Sequence, residues 1–192
     1  VVLDAATAPG EYVTATATID DVAIAGDDYT AVDATVTFLA GSGDGDTETI
    51  SVPVLADTLV EGVETLNLVL SNPSAPLSLG PQTDHQVTIT EDDTAAVAFE
   101  NADSIAIEAD GRHTVNLVLQ IGGGGTLGAD VTVGVVDLAG SAQTPADYTL
   151  TTTSVTFEAG SKDGDKRAAD LTIAADEVEE EDETVNLGLE IA

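Results

Sequence analysis

Apolar and polar residues alternate along most of the chain with a period of two, the pattern of a half-buried β-strand. Ile50, Val52 and Val54 are separated by Ser51 and Pro53, and Leu66, Leu68 and Leu70 by Asn67 and Val69. Val185, Leu187 and Leu189 repeat the second of these faces, and Val87 and Ile89 stand among Gln86, Thr88 and Thr90. Ile105 with Ile107, Val115 to Ile121, and Val131, Val133 and Val135 predict further short strands. Breaks rich in Gly, Pro and Asp divide them at Pro9-Gly10, Gly41–Asp46, Asn72–Pro76, Gly122–Gly125 and Gly160–Asp165. The acidic run Glu177–Glu183 could begin a helix. Its partner in register, Thr58–Glu64, has no helical period, so both are predicted as loops that enter a strand. The fold class that follows is all-β, as sandwiches.

The chain is one unit written twice. Asp28-Tyr29-Thr30 returns as Asp147-Tyr148-Thr149, Val36-Thr37-Phe38 as Val155-Thr156-Phe157, and Asp44-Gly45-Asp46 as Asp163-Gly164-Asp165. Every pair is offset by 119 residues without a gap, with 20 identities over the 43 positions from Asp28 to Leu70. The register predicts a first sandwich at 1–93 that lacks its opening strand and a second at 94–192 that lacks its closing strand. The boundary falls near Asp93-Thr94, with almost no linker.

Composition narrows the chemistry. There are 36 Asp and Glu against 4 Lys and Arg, a formal net charge of −32, with 43% apolar residues among 192. That much apolar, β-branched sequence builds a core, so the acid is not the mark of a disordered tail. A chain so negative is not expected to bind nucleic acid or an anionic membrane, and no apolar run is long enough to insert into a bilayer as a helix. The absence of cysteine removes disulfides, thiolate metal sites and cysteine nucleophiles. The two histidines, His85 and His113, have no ligand-like spacing. Gly122–Gly125 lacks the Lys, the Ser and the helix of a phosphate loop. No nucleophile–base pair emerges, and few aromatics are present to line a sugar cleft. The chain is expected not to be an enzyme. Met is absent even from position 1, which suits a mature or internal fragment.

Carboxylates gather at equivalent places in both copies. Asp57, Glu61 and Glu64 precede the Leu66–Leu70 strand, and Asp176, Glu180 and Glu183 repeat them. Asp28 and Asp147 precede the strands that carry Phe38 and Phe157, and Glu91-Asp92-Asp93 follows the Val87–Ile89 strand. Carboxylates from strand ends distant in sequence can meet, and Ca2+ takes six to eight oxygens at about 2.3–2.6 Å in flexible geometry. The Asp-Gly-Asp segments, in short Gly-rich connections, are read as hairpin turns instead.

The combination of Asp28-Tyr29, Val36-Thr37-Phe38, Asp57 with Glu61 and Glu64, Leu66–Leu70 with Ser71-Asn72-Pro73, and Val87-Thr88-Ile89 with Glu91-Asp92-Asp93 resembles the Calx-beta domain. That family includes the cytoplasmic calcium-sensing module of sodium–calcium exchangers and repeats in microbial surface proteins. The resemblance implies two tandem immunoglobulin-like sandwiches. It also implies a ligand set of Asp28, Asp57, Glu61, Glu64, Glu91, Asp92 and Asp93 in the first copy, and Glu108, Asp147, Asp176, Glu180 and Glu183 in the second. Ala56 and Ala175 depart from the exchanger pattern, where another aspartate stands, which implies fewer ions or weaker binding.

Low Lys and the lack of Cys and Met favour an exported protein. The first expectation is therefore an extracellular or cell-surface adhesive repeat, with calcium stiffening the joint between domains. Its partners are neighbouring repeats or copies of itself and a cell-surface or matrix ligand. One alternative is a head-to-tail filament made by strand complementation. The other is a regulatory calcium sensor in a transporter or signalling protein.

Overall fold

The computed structural model describes residues 1–2, 13–21, 23–32, 34–176 and 181–191. In chain order the strands are β1 (Val13–Asp21), β2 (Ala34–Phe38), β3 (Leu59–Val60), β4 (Glu64–Ser71), β5 (Asp84–Ile89), β6 (Ala95–Phe99) and β7 (Arg112–Ile121). They continue as β8 (Thr126–Leu127), β9 (Val131–Asp137), β10 (Tyr148–Leu150), β11 (Ser154–Phe157), β12 (Lys166–Ile173) and β13 (Leu187–Ile191). Short 3-10 turns occupy Glu108–Asp110 and Gly122–Gly124. The chain divides into two compact units, Val1–Asp57 with Gly62–Glu91 and Thr58–Glu61 with Asp92–Ala192.

In the first unit one antiparallel sheet runs β2-β1-β4-β5. Leu66, fully buried on β4, packs with Ala23 and Tyr29 and draws in Val52, Leu68, Val87 and Ile89. Val36 and Phe38 alternate inward on β2 and meet Ile50 and Leu77. The second unit has two sheets, β10-β12-β7-β6 and β11-β9-β13, and a short parallel pair, β3 with β8. Its core is larger: Leu117, Leu119 and Ile121 from β7 meet Val133 and Val135 from β9, Val155 and Phe157 from β11, and Ala169 from β12.

Internal symmetry survives in the packing. Tyr29 and Tyr148 are both buried, as are Phe38 and Phe157, and Val36 and Val155. The Asp-Gly-Asp segments are turns but not hairpins: β11 and β12, which flank the second, lie in different sheets, and the stretch after the first forms no strand. Gly45 and Gly164 take φ of +84° and +83°, where a side chain would be strained. The Asp46 carboxylate accepts from Gly43 N at 2.7 Å, and that of Asp165 from Lys162 N at 2.9 Å.

Two predicted strands do not form. Ile105 and Ile107 lie outside any ladder and are 89% and 62% exposed, because alternation marks a face but supplies no neighbour to bond. Thr47–Val54, the counterpart of β12, makes only the single bridges Val2↔Thr47 and Tyr29↔Val54. Where β12 lies between β10 and β7, this segment has no full-length neighbour among the described residues, and Pro53 offers no N–H.

Tyr148 shows what the aromatic of the Asp-Tyr pair does. Its ring is buried, and its hydroxyl donates to Asp137 Oδ2 at 2.5 Å. Burial, then the bond to Asp137, pushes the phenol up to about 12. Because the folded value lies above the unfolded one, near 10, this contribution is complete below about pH 10 and is lost as pH rises through about 12. Tyr148→Phe leaves the Asp137 oxygen without this donor and should cost roughly 1–2 kcal/mol at neutral pH. The loss in stability between pH 10 and 12 should shrink in the same variant. Urea unfolding at pH 7 and across the alkaline range checks both.

Candidate metal centre

Asp28 owes its place to a turn that clasps it twice. Asp28 N donates to Ile24 O at 2.9 Å, and Ile24 N returns a bond to Asp28 Oδ2 at 2.5 Å. Leu55 N donates to Asp28 O at 2.9 Å. The second copy repeats this frame at the same offset: Asp147 N to Gln143 O, Gln143 N to Asp147 Oδ2, and Ala174 N to Asp147 O. Short polar side chains that bond their own backbone in turns are a common structural device. One oxygen of each aspartate serves that purpose.

Among the described residues, carboxylates gather at two places. Ligand atoms of Asp28 and Glu64, both in the first unit, lie within 4.8 Å of one another, and so do those of the consecutive Glu91, Asp92 and Asp93. Asp28 is 6% exposed, and Glu61 and Glu64 are half-buried. Glu64 opens β4, while Glu61 follows β3 directly. The triplet follows β5, with Asp92 exposed between its half-buried neighbours.

Among the described residues the other candidates belong to neither group. Asp57 is exposed, and Glu108 is exposed in its 3-10 turn. Asp147 is half-buried, Asp176 and Glu183 are exposed, and Glu180 lies outside the described residues.

Electrostatics favours a cation at the first group. Two unit charges about 5 Å apart repel by roughly 3 kcal/mol at an effective dielectric near 20. The four Lys and Arg are Arg112, Lys162, Lys166 and Arg167, so none precedes residue 112. Two of them, Arg112 and Lys166, have carboxylate partners of their own. Arg112 bonds Asp170 at 2.6 Å and, with Thr114, holds its carboxyl below the ordinary aspartate range. Lys166 bonds Glu100 and, with Asn116, does the same there. An all-oxygen donor set that includes a buried carboxylate fits a hard divalent cation.

Two contacts were not legible in the sequence. Tyr148 with Asp137 is one. The other brings Ser104 Oγ to 2.8 Å from His113 Nε2, where residue spacing gave no nucleophile–base pair. Nothing in the pattern around residues 104 and 113 marks them as neighbours, since the intervening turn decides it.

Buried and half-buried carboxylates carried by tandem β-sandwiches define a calcium-binding module. The chain belongs to the Calx-beta domain family: its model matches residues 1–93 and again 90–192. The protein is thus an all-β pair of immunoglobulin-like Calx-beta repeats, non-enzymatic, with calcium as its ion. Similar solved structures include CBD12 from CALX1.2, at a TM-score of 0.41 and 22% identity over 95% of this chain and 70% of that one. The calcium binding domain CBD12 of CALX1.1 aligns at 0.40 and 21%, over the same shares. No curated protein matches the sequence.

The expectation of an extracellular adhesive or structural repeat is corrected here. The structures that the chain resembles are described as CBD12 domains of CALX proteins, one of them by name as calcium-binding. The extracellular and cell-surface location, cell adhesion, the stiffened joint and the strand-complemented filament are set aside with it. Low Lys and missing Cys and Met misled because they are averages over the whole chain. Carboxylate ligands serve calcium equally on either side of a membrane. Among the described residues no helix is long and apolar enough to cross a membrane.

Proposed function

We propose that this chain is a regulatory calcium-binding module of a transporter or signalling protein, of the kind that serves the cytoplasmic side of sodium–calcium exchangers. The observation that carries the proposal is the approach of the Asp28 and Glu64 carboxylates to within 4.8 Å, with Asp28 buried. In this reading those two hold a calcium ion, with Glu61 added by the resemblance, and Glu91, Asp92 and Asp93 form a second donor group. Asp57 and Glu108 are further candidates that the resemblance alone supports. Asp147, Asp176, Glu180 and Glu183 supply the corresponding set of the second repeat. The 119-residue offset and the two family matches support a division near Asp93-Thr94. The partners are then the neighbouring repeat and the protein that carries the pair.

Calcium supplies charge neutralisation. The chain's own residues supply the rest: the Ile24–Asp28 turn fixes one carboxylate, and Glu64 is anchored at the start of β4, paired opposite Ile89. A regulatory module must respond to its ion by more than added stability. Small-angle scattering of the chain in calcium and in chelator should therefore differ, with magnesium giving the chelator curve. Identical curves, together with calcium binding by calorimetry, would contradict the regulatory part and leave a calcium-stabilised spacer.

A further inference from the structure

Gly26 is the one residue of the Ile24–Asp28 turn whose backbone an ordinary side chain would not tolerate. Its φ is +98°, and its N–H donates to Tyr29 O at 2.8 Å. A Cβ built there would meet nothing within 4 Å. The glycine is therefore required for conformation and not for space. The turn it permits is the one that aims Asp28. Ile24 receives the Asp28 N–H at its carbonyl and gives its own N–H to Asp28 Oδ2. Buried Ala23 and Tyr29 fix the two ends of the segment.

The second repeat reaches the same frame differently. At the 119-residue offset Gly26 corresponds to Pro145, and the bonds from Gln143 to Asp147 are retained. A turn that must close on its aspartate thus uses a left-handed glycine in one copy and a proline in the other.

We infer that Gly26 is a positioning residue for the calcium site: it holds the Asp28 carboxylate in place without touching the ion. This rests on the calcium reading above. Gly26→Ala forces an L side chain onto a left-handed backbone, and the turn relieves that strain by reopening. The Asp28 carboxylate then leaves its place beside Glu64.

Gly41 provides a matched control. Its φ is +97°, a Cβ there also meets nothing within 4 Å, and it lies in the turn closed by Ser42 N to Leu39 O. Gly26→Ala and Gly41→Ala should therefore lower the melting temperature in chelator by similar amounts. Calorimetric titration with calcium chloride should separate them: Gly26→Ala weakens binding by about tenfold, while Gly41→Ala binds as the wild type does. Gly26→Asn, whose side chain tolerates positive φ, should recover part of the affinity. Wild-type binding by Gly26→Ala, or an equal loss in both variants, would overturn the positioning role and leave the calcium site intact. A wild-type chain that takes up no calcium would overturn the calcium reading itself.

Discussion

Phe157→Ala should lower the unfolding free energy by about 3–5 kcal/mol, the cost of a cavity where a buried ring was removed. Phe157 is completely buried, among Leu117, Leu119, Val133, Val135 and Val155. The Arg167 guanidinium stands 5.1 Å from its ring centroid, adding a cation–π contact at the edge of the core. Its counterpart Phe38 is nearly as buried but packs in a smaller cluster, with Val36, Ile50 and Leu77. Phe38→Ala should cost less, because a smaller cluster collapses more easily around the gap. Urea midpoints at an unchanged slope would report both losses. A Phe157→Ala loss below about 1 kcal/mol would contradict the packing described for the second unit.

Asp28→Ala should do two separable things. In chelator it removes the bond from Ile24 N, a cost of about 1 kcal/mol. Asp147→Ala removes the equivalent bond from Gln143 N and measures the size of that structural part on its own. In calcium, Asp28→Ala should also lose the part of the calcium stabilisation that its own group contributes. A variant that keeps the full calcium increment would show that Asp28 is a turn-closing residue and nothing more.

Much of the fold was legible because the repeat marks its own core. Tyr29 and Tyr148, and Phe38 and Phe157, could be paired from the sequence, and all four are buried. Asp28 and the Glu61–Glu64 loop could be singled out for the same reason: identical acids at an identical offset are hard to attribute to solubility alone. Partners could not be read in the same way. Ile105 and Ile107 alternate like a strand yet have no ladder, and Thr47–Val54 alternates like β12 yet is bridged only at its ends. The side chain that faces a surface is encoded locally, whereas the strand that lies beside it is a property of the assembled sheet. The parallel pairing of Leu59 and Val60 with Thr126 and Leu127 joins segments more than sixty residues apart with no shared motif. Location was the least legible property, since it was drawn from composition and no residue bears on it.

A thermal melt in 1 mM calcium against chelator, with magnesium as the control, tests the calcium site most directly. A site with a dissociation constant of about 10 μM should add roughly 2.7 kcal/mol, a rise of several degrees. The rise should be selective for calcium, and Asp28→Ala combined with Glu64→Gln should remove the share of it that the first group contributes. No rise, or an equal rise in sodium chloride or magnesium, would contradict the site and make the carboxylates a solvated surface.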